Sequence, residues 1–333
     1  MVKYILKRLG LAIIILLGVS LLIYMLTMAM PADYIDNRTA AAVQSGQMTP
    51  EDVLRLKELY GLADKSLPGI LKGYASWFSN ALQGDLGFSF LYGRPVTQVI
   101  KEYVWISFFI SLIAYVIEII IAIPMGIRAA VNQYSGYDYT VSVFSMMATA
   151  LPSFFLAALL MNFFSINLGW FPLQGLTTAT KIFHPSDKWG IFLDKAWHLV
   201  LPIITLTLLS IGGLMRYTRT NMLEVMNSDY IRTARAKGLP EKKVINKHAF
   251  RNTFIPLVTT LSGMLPGLFS GAMITETVFS IPGIGSMALR ATLQGDIPFV
   301  MGYNMFLAIL TVIGYLISDL MYAVVDPRVQ ISK

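Results

Sequence analysis

Residues 216–258 read RYTRTNMLEVMNSDYIRTARAKGLPEKKVINKHAFRNTFIPLV, and they decide how the rest of the chain is understood. From Arg216 to Asn252 there are nine Lys and Arg, yet the stretch lies between two segments apolar enough to cross a bilayer. Asn227, Ser228 and Asp229 can cap a helix running through Lys237. On a helical wheel Tyr230, Ile231, Ala234 and Gly238 fall on one narrow face, with Arg232 and Arg235 off it. Gly238 ends that helix and Pro240 starts another. In the second helix Val244, Ile245, His248 and Ala249 share a face, while Lys242, Lys243 and Lys247 lie elsewhere. A small-residue face lets another protein approach closely, and flanking cations steer an acidic partner or lipid headgroups. A plain positive-inside loop accounts for the charge but not for the paired caps and narrow faces. Both alternatives stay open on pattern alone.

Working outward, the chain of 333 residues is 55% hydrophobic and only 14% charged, where a soluble domain carries about 25% charged residues. Its mean hydropathy is +0.62. This is the composition of a polytopic membrane protein. The formal charge of +7 is therefore sorted by membrane side before nucleic acid is considered, and nucleic acid is not expected as a partner. Cysteine is absent, which removes disulfides, thiolate nucleophiles and Cys metal sites.

Six spans are expected. Lys3, Lys7 and Arg8 precede an apolar run over residues 9–30, too long for a signal peptide core and so an uncleaved first helix. Residues 31–103 are too polar to span. Thr49-Pro50-Glu51-Asp52 starts a helix that Gly61 can stop, and Pro68 to Leu82 reads as a second. This predicts an ordered extracytoplasmic helical cap, with helices lying on the membrane surface as the alternative. The second span is Val104–Ile127. The third is Thr140–Phe164, kinked or broken at Pro152. A polar outer loop, Asn167–Trp197, carries Trp170, Trp189 and Trp197 for the interfacial belt. The fourth span, His198–Met215, is interrupted by Pro202 and Gly212-Gly213. The fifth is Phe254–Val278, then an outer re-entry over Phe279–Val300, and the sixth is Tyr303–Val325. The expected divisions are thus an N-terminal transmembrane helix (1–30), the cap (31–103) and a five-helix core (104–333) containing the cytoplasmic loop 216–252.

The segments on the N-terminal side hold 15 Lys and Arg against five acids. The other side holds 11, seven of them in the long 31–103 segment, which exceeds the roughly 60-residue limit for loops that set orientation. Both termini and the basic stretch of this multi-pass protein are therefore expected in the cytoplasm.

No catalytic constellation is evident. The chain lacks G-x-x-x-x-G-K-[ST], H-E-x-x-H and G-x-S-x-G, so neither its own ATP site nor hydrolase chemistry is expected. Three acids lie in or beside spans, where an ionisable group is a functional-site hypothesis. Glu118 is a pathway residue or an inter-helix polar partner. Asp319 is a structural partner near the cytoplasmic end. Glu276, before SIPGIG, is the outer-gate candidate. Gly263, Gly267 and Gly271 recur every four residues, as a packing face or a smooth pathway wall. The 18 Met are read as adaptable packing rather than metal ligands.

The run DYIRTARAKGL (229–239) followed by HAFRN (248–252) resembles the EAA-type loop of ABC importer permeases, in the form typical of the dipeptide/oligopeptide/nickel family. Further matches run in order along the chain: YILKRLGL (4–11), GDLGFSF (84–90) with Arg94-Pro95-Val96, HLVLP (198–202), TETVFSIPGIG (275–285) and DPR (326–328). The long segment after the first span is similar to the first of that family's two permeases. The chain departs from the wider pattern at Arg232, where Glu is usual, at Phe250-Arg251, where Leu-Pro is usual, and at Pro31-Ala32-Asp33-Tyr34, where Pro-Gly-Asp-Pro is usual.

The resemblance implies a type I ABC importer of peptides, multi-pass in the plasma (inner) membrane of a prokaryote. A second permease would complete the pathway, two ATPase subunits would carry ATP and Mg, and an extracytoplasmic binding protein would deliver substrate. This chain would hold no cofactor. Tyr230, Ile231, Arg232, Ala234, Arg235, Ala236 and Gly238 would form the element coupled to an ATPase. Nickel or oligosaccharide cargo is the alternative within the family. An ion-driven secondary transporter would predict paired intramembrane charges and inverted repeats, which the sequence does not show. A membrane scaffold or receptor would leave the basic stretch unexplained.

Overall fold

The computed structural model describes residues 2–30, 33–59, 64, 66–178, 184, 187–262 and 264–325. Two compact units emerge, one of Met1–Trp105 with Gly283–Ile313, the other of Ile106–Pro282 with Gly314–Ser332.

In the first unit the apolar helix α1 (Val2–Met28) is followed by α2 (Tyr34–Gln44), α3 (Pro50–Leu59) and α4 (Leu67–Leu82). Helix α2 was not anticipated. Asp33 makes a capping box for it: the Asp33 carboxylate accepts from the Asp36 amide and the Asp36 carboxylate from that of Asp33. Helix α3 starts at Pro50 as expected, with Asp52 accepting from both the amide and the hydroxyl of Thr49. The expected stop at Gly61 lies outside the described residues. Helix α4 starts one residue before Pro68, capped by Ser66. Lys57 of α3 reaches Asp36 at 2.6 Å and Asp33 at 3.0 Å, tying α3 to the start of α2. Burial raises the Asp36 pKa, but the hydrogen bonds from Lys57 and the Asp33 backbone outweigh it and hold the carboxyl below its usual range. Tyr24 and Met28 of α1 pack with Ile35, Leu56, Ile70 and Trp77 and with Ile297 and Met301 from late in the chain, so the cap helices share one apolar core with these segments.

A two-residue ladder then pairs β1 (Phe88–Ser89) antiparallel to β2 (Arg94–Pro95). It is followed by α5 (Val96–Val131) and, much later in the chain, by α14 (Ile284–Gln294) and α15 (Ile297–Val325). Between α14 and α15 the fully buried Asp296 accepts from Ser89 Oγ at 2.5 Å and from the amides of Leu91 and Phe299 at 3.0 and 3.3 Å. A carboxylate is acceptor-only, and these donors point at it from two distant parts of the sequence. We expect Asp296→Asn, which swaps an acceptor for a donor, to speed amide exchange over residues 88–91 by about tenfold or more. Unchanged exchange there would show that Asp296 does not hold the turn.

The second unit contains most of α5, whose 36 residues reach about 54 Å at 1.5 Å per residue. Next come α6 (Gly136–Ala150) and α7 (Ser153–Leu160), the latter running on as a π-helix to Asn167. They meet at Leu151-Pro152 with a bend of 104°, so of the two forms expected at Pro152 the chain takes the break. Helix α8 (Lys188–Met226) is one helix of 39 residues. The expected outer loop therefore ends by Asp187, and Trp189 and Trp197 stand on helix. Neither Pro202 nor Gly212-Gly213 interrupts α8. Pro202 costs one backbone hydrogen bond, which the packing along a helix this long offsets. Gly212 serves close approach instead: a Cβ there would lie 2.5 Å from the Ser145 carbonyl, and Ser145 Oγ donates to the Gly212 carbonyl at 2.7 Å.

Beyond α8 lie α9 (Asp229–Ala236), the short α10 (Glu241–Lys243) with a π-helical continuation to Ala249, α11 (Phe250–Ser262), α12 (Leu265–Ser270) and α13 (Met273–Val278). Among the described residues four helices are long and apolar enough to cross a membrane: α1, α5, α8 and α15. The bent α6–α7 pair makes a fifth if it is one span. The segment expected as the fifth span is not one helix. It is α11 to α13, broken at Gly271, whose φ of +73° no α-helix contains. The Gly263/267/271 spacing is therefore not a continuous helical face; Gly263 itself lies outside the described residues, as do the side chain of Asp319 and residues 326–328.

Candidate functional site

The basic stretch folds as the spacing suggested, into two helices hinged at a glycine. Gly238 takes a left-handed φ of +71°, and its amide donates to the Arg235 carbonyl at 2.9 Å. An L-side chain resists that backbone, so glycine is needed there. Ser228 precedes α9, but its hydroxyl donates back to Val225 and leaves the helix without a side-chain cap. Arg235 spans the turn to Glu241 at 2.7 Å, and this contact keeps the Glu241 carboxyl below its usual range.

The facing of α9 corrects one expectation. Ile231 and Ala234 do not present a docking face: they are 0% and 6% exposed, packed with Ala130, Met222, Val244 and Ala249 of this same chain. Apolar residues bury against the nearest dry surface, and here α8 and the helix after Pro240 supply it. Tyr230, Arg232, Arg235, Ala236 and Gly238 are exposed, as are Lys242, Lys243 and Lys247. The outward surface is thus cationic with a tyrosine and a bare turn at its edge.

A contact that sequence reasoning missed joins the end of α8, from which this element extends, to α6. Arg219, in the last turns of α8, grips Asp138 at the start of α6 with two bonds of 2.6 and 2.7 Å. Asp138 also accepts from the Tyr134 amide at 3.0 Å. The one sequence signal was a lone acid in the short 128–139 loop, facing a stretch rich in Arg.

A cavity of about 630 Å³ opens between α5, α8 and the broken α11–α13 segment. Ser111, Tyr115 and Glu118 of α5, Ser210 and Tyr217 of α8, and Gly267 and Gly271 border it. Glu118, 4% exposed, lies within hydrogen-bonding reach of Ser210. Glu276 does not border the cavity. It is buried, accepts from Ser107 Oγ at 2.6 Å and from the Ala272 amide at 3.0 Å, and so fastens α13 to α5.

Backbone breaks within membrane helices, like the one at Gly271, are tolerated where the chain is buried in protein or lines a cavity. Residues 122–331 match the family model of the binding-protein-dependent transport system inner membrane component. The chain belongs to this family. It is a membrane component of a binding-protein-dependent transport system, a multi-pass permease subunit. Relatives of this permease match over the full length. The oligopeptide transport system permease protein AppB of Bacillus subtilis is 36% identical over 99% of this chain and 100% of its own. The dipeptide transport system permease protein DppB of Lactococcus lactis is 32% identical over 99% and 100%. A putative peptide transport system permease protein of Brucella abortus is 36% identical over 99% of both chains. Among solved structures the inward-facing MetNI methionine ABC transporter shares the fold, with TM-score 0.54 and 17% identity over 69% of this permease and 97% of that chain.

Proposed function

We propose that this chain is one of two permease subunits of an ATP-driven importer of peptides. The observation that carries the proposal is the full-length likeness to permeases named for oligopeptide and dipeptide transport. The hinged cationic element gives the chain a place for an external motor to act, and its lack of a nucleotide motif calls for one. In this account two ATPase subunits carry ATP and Mg and seat the exposed side of α9 and Gly238. A second permease closes the open side of the cavity, and a binding protein delivers the peptide. The 15-to-4 bias of Lys and Arg in the short segments supports cytoplasmic termini, and the likeness to bacterial permeases supports a prokaryotic inner membrane. Vesicles holding the assembled complex, given ATP inside and peptide-loaded binding protein outside, test the proposal. Uptake of labelled peptide is expected; uptake of nickel or an oligosaccharide instead would replace the cargo.

Glu276 serves this transport as a latch near the outer end of the pathway, where its bonds to Ser107 and Ala272 would break and re-form as α13 moves. Glu276→Gln weakens a buried charge-assisted bond, and a fall of about fivefold in the uptake rate is expected. Unchanged uptake kinetics would remove the residue from the gate.

A further inference from the structure

We infer that Glu118 is the point on the pathway wall that recognises positive charge on the transported peptide. The inference rests on the peptide-importer proposal and goes beyond it by naming the chemistry of one subsite. Among the described residues that border the cavity, Glu118 is the single charged one. The other residues bordering it are hydroxyl-bearing (Ser111, Tyr115, Ser210, Tyr217 and Thr260), one methionine, glycines and aliphatic side chains. A lone carboxylate in a concave apolar wall focuses its field into the cavity rather than into bulk water. Hydroxyls can hold a carboxylate in place without neutralising it. Every peptide brings an α-ammonium, and many bring Lys or Arg, so a cation is the group such a wall would favour. Position matters as well. Residues 111 and 118 stand two helical turns apart on one face of α5, so charge placed at Ser111 shares the same stretch of wall.

The test uses the assembled transporter in vesicles with its ATPases and with binding protein saturated by cargo. The cargo is a tripeptide with a central lysine or the same peptide acetylated on the lysine nitrogen, each confirmed bound to the binding protein. Wild type is expected to import the lysine peptide about fivefold faster. Glu118→Gln should bring the ratio to about one, and Ser111→Lys should bring it below one by opposing the carboxylate. A ratio that stays at its wild-type value in either assembled variant overturns the inference, as does an equal fall for both peptides. A wild-type ratio of one also overturns it. Should Glu118→Gln fail to assemble, Ser111→Lys alone decides. If the wild-type complex imports neither peptide, the peptide proposal itself fails, which is a different result from an altered ratio.

Discussion

A Gly238→Trp protein is expected to insert and assemble while losing about tenfold or more in uptake per ATP hydrolysed. The reason lies in what the residue meets. Gly238 is exposed at the hinge between α9 and α10, and a Cβ built on it touches nothing within 4 Å. Bulk there is harmless inside this chain and obstructs only whatever docks from outside. The left-handed φ of +71° adds local strain of about 1–2 kcal/mol for any L-residue. Gly238→Ala carries the same strain without the bulk and separates the two effects: it is expected to keep most of the uptake. Equal losses in both variants would mean that strain, not docking, sets the phenotype. Full uptake in Gly238→Trp would remove the hinge from the coupling interface.

The second large effect is expected at Arg219. Its partner Asp138 has a side chain only 4% exposed, while that of Arg219 is 23% exposed. Removing the cation strands a buried carboxylate, which costs about 3 kcal/mol, the lower end of the range because water reaches Arg219. Arg219→Ala should therefore lower the thermal stability of the purified complex and loosen the start of α6 from α8. Combining Asp138→Leu with Arg219→Met leaves no charge buried, and most of the stability should return. A double variant as unstable as the single one would show that a stranded charge is not the source of the loss.

What could be read before the coordinates, and what could not, divides along physical lines. The hinge at Gly238 and the start of α3 at Pro50 were legible because glycine and proline act through their own backbone, whatever surrounds them. The direction α9 faces was not, because a wheel shows that Ile231 and Ala234 share a side without showing whether kin or stranger covers it. Pro202 and Gly212 looked like breaks in α8 because propensity ignores packing; here tertiary contact overrode it, and Gly212 turned out to serve the approach of α6. Gly271 was read as part of a packing face or of a smooth wall; its φ breaks the segment and rules out one continuous helical face, while it borders the cavity together with Gly267. The Asp138–Arg219 bridge joins residues 81 apart in sequence, a distance over which no local pattern carries information. Glu118 and Glu276 were both visible as acids in apolar runs, but only the fold puts one at the cavity and the other between helices.

The central claim is that the cationic surface of α9 is seated on an ATPase subunit. Because the chain has no cysteine of its own, Ala236→Cys gives a single thiol on that exposed surface. In the assembled complex a short cysteine–lysine cross-linker is expected to join it to an ATPase subunit, and a bulky maleimide is expected to be excluded until the ATPases are stripped away. A thiol labelled equally fast in the intact complex and in the isolated permease, or labelled in whole cells by a reagent that cannot cross the membrane, would contradict the account.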